Sequence, residues 1–219
     1  MSSKLTEIRE GMFGAFLIAV ALIPPLLRPW RRWGATDAEV SRVLPGDEFV
    51  PHPKGGFTQA ITIHSPRLRV WPWVAQIGQG RGGFYSYDFL ENLIGCNIHS
   101  ANEIVPAYQH GEKSEGLRLH PEMMPVPFAK IEPGRTLLFG GKWYQNMPTS
   151  WVLVVDEVNE STTRLIVRWI FDFEPGLGNL LRYKAFIEPI SLVMGRKMLL
   201  GIKKRAEAAE SEAVKTSGK

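Results

Sequence analysis

A single cysteine in 219 residues, Cys96, excludes an intramolecular disulfide and a thiolate metal cluster. The five histidines, His52, His64, His99, His110 and His120, lack metal-ligand spacing and no HExxH is present, so no metal is expected. The glycine run GQGRGG at 78–83 follows a predicted helix rather than a strand. It also lacks the lysine and hydroxyl of a phosphate loop. Ser86 and Ser100 have no glycine-flanked nucleophile elbow, which leaves a hydrolase triad without support. No nucleic-acid-binding motif accompanies the net charge of +4, and no cofactor or nucleic-acid partner is expected.

What is present first is a charge-free run of seventeen residues, GMFGAFLIAVALIPPLL at 11–27, followed at once by RPWRRW. A span needs about 20 apolar residues, and Pro24-Pro25 ends or kinks the helix, so the run is marginal for crossing a bilayer. Three readings stand: an anchor, a helix lying in the interface or docked on the protein, and a cleaved signal peptide. The anchor is preferred because Trp30, Trp33, Arg28, Arg31 and Arg32 sit where interfacial residues hold a span. A signal peptide is disfavoured by Glu7 and Glu10 ahead of the run and by the lack of a small-x-small site. Arginine excess after the run places the main domain on the cytoplasmic face. A second basic cluster, Arg196, Lys197, Lys203, Lys204 and Arg205, adds membrane lipid as an expected contact.

Along the chain, residues 1–33 form the hydrophobic anchor segment and 34–55, rich in proline and glycine, a linker with one short helical turn after Thr36. The domain runs over 56–209, and 210–219 is expected to be a disordered tail. Alternation predicts a first strand at about 57–64, with Phe57, Ile61 and Ile63 on one face. A helix follows Ser65, with Pro66 at its first position, and ends near Ile77; SYDFLENLIG reads as a second helix capped by Ser86, and SANEIV as a third or a turn. From about residue 112 short runs broken by turn residues predict successive antiparallel strands: GLRLHPE, VPFAKIEPG, RTLLFGGKWY, SWVLVVDEVNES and TTRLIVRWIFDFE. In the last, Leu165, Val167, Trp169, Phe171 and Phe173 share one face. A long helix over about 180–209 carries Ile187, Ile190, Val193, Met194, Met198 and Gly201 as its inward stripe. This order predicts an α+β helix-grip fold, a curved antiparallel sheet wrapped on a long C-terminal helix with an N-terminal hydrophobic helix.

The stretches RWGATDAEVSRVLPGDEF, ITIHSPRLRVWPWVAQIGQGRGGFYSYDFLENLIG and MGRKMLLGIKKRAE carry a resemblance. Over about residues 32–207 the chain resembles the START/Bet v 1-like superfamily of polyketide cyclase/dehydrase and lipid-transport proteins, within it a bacterial membrane-tethered subgroup. The resemblance implies an internal cavity for a hydrophobic small molecule such as a lipid, polyketide or terpenoid. No catalytic residue set is carried over.

Trp71, Trp73, Trp143, Trp151 and Trp169, with Phe139, Phe171, Met194 and Met198, supply the large adaptable side chains that either fill such an interior or line a cavity. The expected ligand contacts are Trp73, Trp143, Trp169, Met194 and Met198 for the apolar part and Arg81, Tyr85 and Tyr87 for the polar end, with the loop 78–87 as entrance. Asp88 and Glu91 read as ordinary residues of a short helix near its positive end. His99, close to Glu91, Asn97 and Glu103, is the one candidate general base, against a structural role for the same imidazole. Two rivals to simple binding stay open: a cyclase or dehydratase working in the same cavity, and an accessory subunit packed on a membrane protein partner.

Overall fold

The computed structural model describes residues 2–21, 29–109, 116–143 and 147–217. His110 and the Pro24-Pro25 pair lie outside the described residues. Helix α1 (Ser2–Ala21) leads to a short helix α2 (Asp37–Ser41), strand β1 (Gly55–Ile63), helix α3 (Arg67–Ala75) and helix α4 (Asp88–Leu93). Strands β2 (Phe128–Glu132), β3 (Thr136–Trp143), β4 (Met147–Asn159) and β5 (Thr162–Phe171) follow. The chain closes with α5 (Leu177–Leu180), a π-helical segment (Leu181–Ile187) and α6 (Glu188–Ser217).

The five strands make one antiparallel curved sheet in the order β1-β5-β4-β3-β2, with α6 against its inner face, the helix-grip arrangement expected. Alternation on β5 sends Leu165 and Val167 inward, where they are buried with Leu192, Val193, Leu199 and Ile202 of α6, and Phe171, also buried, packs on Trp169 and Tyr183. The helix approaches closely at Gly201, where a Cβ would collide with the Tyr85 carbonyl.

Two expectations change. GLRLHPE forms no strand beyond a single bridge from Leu117 to Val126, and α6 continues through residues 210–217, which the sequence assigns to a tail; of the two readings of SANEIV, the non-helical one holds, with bends at Asn102 and Glu103. The segment read as a linker packs on the outer face of the sheet. There Leu44 and Phe49 cover Leu138, Val152, Val154 and Ile166 in a second buried cluster. Arg168, 6% exposed on that face, donates to Asp47 Oδ2, to the carbonyls of Glu39, Val40 and Arg42 and to Thr58 Oγ1. A buried guanidinium with this many acceptors is tolerable because its donors are satisfied. They also fix the incoming chain on the sheet.

Helix α1 docks on the domain. Gly11 and Gly14 let it lie against the rings of Phe89 and Tyr87, and Lys197 of α6 donates to Glu10 at 2.8 Å. The opposite face leaves Leu5, Met12, Phe13 and Phe16 more than half exposed. Among the described residues no helix is long and apolar enough to cross a membrane.

Candidate functional site

Strands β4 and β5 pair in a register that sets Trp151 directly opposite Trp169, so both indoles leave the inner face together. Across from them Ile187, Ile190, Met194 and Met198 recur at three- and four-residue spacing on the π segment and α6. Between sheet and helix lies a cavity of about 500 Å³. Phe57 and Phe84 close two further sides, and the segment around Leu119 and Met123 another. The volume stays open because small side chains, Ser86, Thr149 and Ser191, occupy wall positions that a filled core gives to large ones. Arg182, an exposed member of the wall, marks the mouth together with Ile190, which is 40% exposed.

Several polar groups of the wall are engaged within the protein. Trp169 Nε1 donates to Thr149 Oγ1 at 3.1 Å, and Ser86 Oγ donates to the Met194 carbonyl at 3.2 Å. Two are not: Glu91 Oε2 and Trp151 Nε1 are buried without a hydrogen-bond partner among the described residues. Glu91 is 9% exposed, and burial, helped by the negative charge of Asp88, pushes its carboxyl up from 4.5 to about 8. It is therefore largely neutral near pH 7. Asp88, one turn earlier on α4, has a different fate: it accepts from both the amide and the hydroxyl of Ser100, each at 2.6 Å. Ser100 Oγ in turn accepts from the amide of Tyr85, a residue held at φ 56°. Asp88 is thus committed to holding the loop, and Glu91 is left facing the cavity. Cys96 also lines the cavity, its thiol pushed up by burial and by Glu91, which keeps it in the protonated, poorly nucleophilic form.

Of the residues expected to meet a ligand, Trp169, Met194 and Met198 line this cavity. The side chain of Trp143 lies outside the described ones. Trp73, Tyr85, Tyr87 and Arg81 are placed elsewhere. Trp73, on α3, and Tyr85 are buried edge-to-face at 5.9 Å, with the Arg205 guanidinium 4.7 Å from the tyrosine ring. Tyr87 is sandwiched between α1 and Lys197, and Arg81 donates to the carbonyls of Ala75 and Tyr108. The loop 78–87 closes on itself through paired Gly78 and Gly83 and is pinned to Gln76 and Ala101, so it forms a plug rather than the entrance. His99 is exposed and off the cavity wall, so its imidazole is not placed to act on a cavity ligand.

Sequence reasoning passed over Glu91 for a physical reason. On α4 the apolar Leu93 and the following Ile94 point outward, 68% and 73% exposed, while the glutamate points in. A six-residue helix is too short for periodicity to orient it.

A second cleft of about 520 Å³ on another face is lined by Arg31, Arg32, Lys54, Arg168 and Lys184. Each of these cations already has a carboxylate: Glu188 for Arg31 and Lys184, Asp37 for Arg32, Asp172 for Lys54 and Asp47 for Arg168. That cleft is an ion-pair network, which leaves the aromatic cavity as the candidate site. Among the described residues no cluster of histidine, cysteine, aspartate or glutamate could hold a metal ion.

No family model and no curated protein matches the chain. Among solved structures it is similar to a Polyketide_cyc-like protein from Corynebacterium glutamicum, at 15% identity over 72% of this chain and 94% of that one, with a TM-score of 0.42. It is similar also to CalC, a self-sacrificing resistance protein from Micromonospora echinospora, at 9% identity over 70% and 95%, with a TM-score of 0.43. A third is the Zhui aromatase/cyclase from a Streptomyces species, at 10% identity over 70% and 93%, with a TM-score of 0.33.

Proposed function

We propose that this protein binds an apolar small molecule, such as a lipid, polyketide or terpenoid, in the cavity between its sheet and α6 while associated with a membrane surface. The observation that carries the binding reading is the cavity itself: about 500 Å³ between sheet and α6, beside the buried apolar core. Native interiors keep few voids larger than a water molecule, and ligand sites run from ~300 to ~1,000 Å³. Its wall of Trp151, Trp169, Met194 and Met198 combines rigid aromatic faces with adaptable thioethers, which suits a large apolar guest.

Membrane association draws support from the outward apolar face of α1 and from Leu177, Leu180, Leu181 and Phe186, all exposed close to the mouth. The net charge of +4 favours contact with an anionic leaflet. A helix lying in the interface fits these faces better than a span.

The test is native mass spectrometry of the full chain released from membranes in mild detergent, with extraction and identification of what is bound. A reproducible adduct lost in Trp169→Ala supports the reading; a bare mass in several preparations, or a protein partner at fixed ratio with the cavity empty, overturns it. Flotation with anionic vesicles tests the membrane part. Replacing Phe13 and Phe16 by serine is expected to release the protein, and unchanged flotation sinks this assignment of α1.

A second reading, acid-base turnover of the bound molecule, is favoured by the neutral Glu91 carboxyl on the cavity wall. It requires product formation that disappears in Glu91→Gln while binding survives.

A further inference from the structure

Sulfur is concentrated in the cavity wall. Of the chain's seven methionines, Met123, Met147, Met194 and Met198 line it, as does Cys96, the single cysteine, although the wall takes in only 21 residues. Periodicity aims three of the four thioethers inward. Met147, Thr149 and Trp151 share one face of β4 at two-residue spacing, and all three line the cavity. Ile187, Ile190, Met194 and Met198 fall on one helical stripe that also lines it, so both methionines stand on the cavity side of α6. The Met194 sulfur is placed directly, since it accepts from Ser86 Oγ, another wall residue, at 3.5 Å. Met123 comes from the segment ahead of β2. Met198 is 2% exposed, whereas Met123, Met147 and Met194 are half-buried and within reach of a small dissolved oxidant. Met12 and Met124 are more exposed and lie off the wall.

We infer that this wall is a modification site: hydrogen peroxide converts Met123, Met147 and Met194 to sulfoxides, and the altered cavity gives up its apolar guest. This rests on the binding reading above and adds a control to it. In each step the thioether sulfur attacks one peroxide oxygen. An S–O bond forms as the O–O bond breaks, sulfur gives up two electrons, and the other oxygen takes the proton of the attacked one and leaves as water. The product sets a strongly polar group where a flexible apolar chain stood. Its oxygen must find a donor or draw water in beside Trp151, Trp169 and Phe84, and either change disfavours an apolar guest. Cys96 is the poorer target, because burial and Glu91 keep its thiol protonated and the thiolate is the reactive form. Met12 and Met124 gain the same oxygen without altering the wall.

The test titrates N-phenyl-1-naphthylamine, a neutral apolar probe whose fluorescence rises on leaving water, into the full chain before and after hydrogen peroxide. A Cys96→Ala background removes the thiol, a protein-free blank corrects for detergent, and peptide mass spectrometry locates each added oxygen. Peroxide is expected to weaken probe binding about tenfold as Met123, Met147 and Met194 each gain one oxygen. Met12→Leu/Met124→Leu should suffer the same loss. Met123→Leu/Met147→Leu/Met194→Leu, measured against its own untreated form, should lose less than about twofold. If that variant does not fold, Met123→Leu/Met147→Leu serves instead and should lose distinctly less than the background protein. Unchanged affinity with all three methionines oxidised, oxidation confined to Met12 and Met124, or an undiminished loss in the leucine variants would overturn the inference and leave the cavity reading standing. Failure of the probe to bind before peroxide would overturn both.

Discussion

Trp151 and Trp169 are direct cross-strand partners on β4 and β5, yet their indole N–H groups end differently: Trp169 donates to Thr149 at 3.1 Å, and Trp151 donates to nothing among the described residues. The pair divides the labour of the wall. Trp169 stacks on Phe171 at 4.4 Å and builds the sheet face, whereas Trp151, stacked on Phe84 at 6.2 Å, lines the cavity with its indole N–H buried and unspent.

That difference has a measurable consequence. Trp169→Ala removes a stacked ring and a satisfied hydrogen bond and is expected to cost about 3 kcal/mol in urea unfolding. Trp151→Phe keeps most of the ring area and loses no hydrogen bond, so it should cost less than about 1 kcal/mol. Equal costs would mean that the two indoles are not distinguished in this way.

Glu91 makes stability depend on pH in an unusual direction for a carboxylate. It titrates at 4.5 when unperturbed and at about 8 in the folded protein. Between those values the folded state holds a proton that the unfolded state has released, so stability falls as pH rises through the window and is level on either side of it. The loss is on the order of 5 kcal/mol. Glu91→Gln carries no such proton, and its advantage over the unaltered protein should grow from about pH 5 to about pH 8. Parallel stability curves for the two proteins across that range would contradict the buried carboxyl.

Glu39 behaves in the opposite sense. The Arg164 guanidinium grips it at 2.7 and 2.9 Å and, with Thr36, holds its carboxyl down at about 2 against the burial that would raise it. Its stabilising contribution is complete above 4.5 and is lost as pH falls through about 2. Glu39→Gln should therefore cost about 1 kcal/mol at neutral pH, after solvent screening, and approach the unaltered protein near pH 2. A cost that does not change with pH would assign the effect to packing.

Glycine-to-alanine changes in the closing helix should split by position. Alanine is the better helix former by about 1 kcal/mol, so Gly178→Ala, with open space around it, is expected to be neutral or stabilising. Gly201→Ala drives a methyl group into the Tyr85 carbonyl and should cost about 2 kcal/mol, read as a lowered thermal midpoint. Equal effects would show that α6 has room to shift away from Tyr85.

What the sequence by itself determined is what regular periodicity encodes. Alternation over β1, β3, β4 and β5 and the stripe of α6 are long enough to fix type, order and inward face, and with them the helix-grip arrangement and the inward placing of Trp169, Met194 and Met198. Tertiary structure decided the rest. It turned residues 34–50 from a spacer into a cover, because Arg168, on the outer face of β5, found acceptors in that segment. It moved Tyr85, Tyr87 and Arg81 away from the cavity, because contacts with Arg205, Lys197 and the Ala75 carbonyl lie far away in sequence or in a loop without periodicity. It also brought Glu91 inward from a helix too short to show a face, since burial of a side chain on one turn of helix is settled by what packs around it, not by its neighbours in sequence.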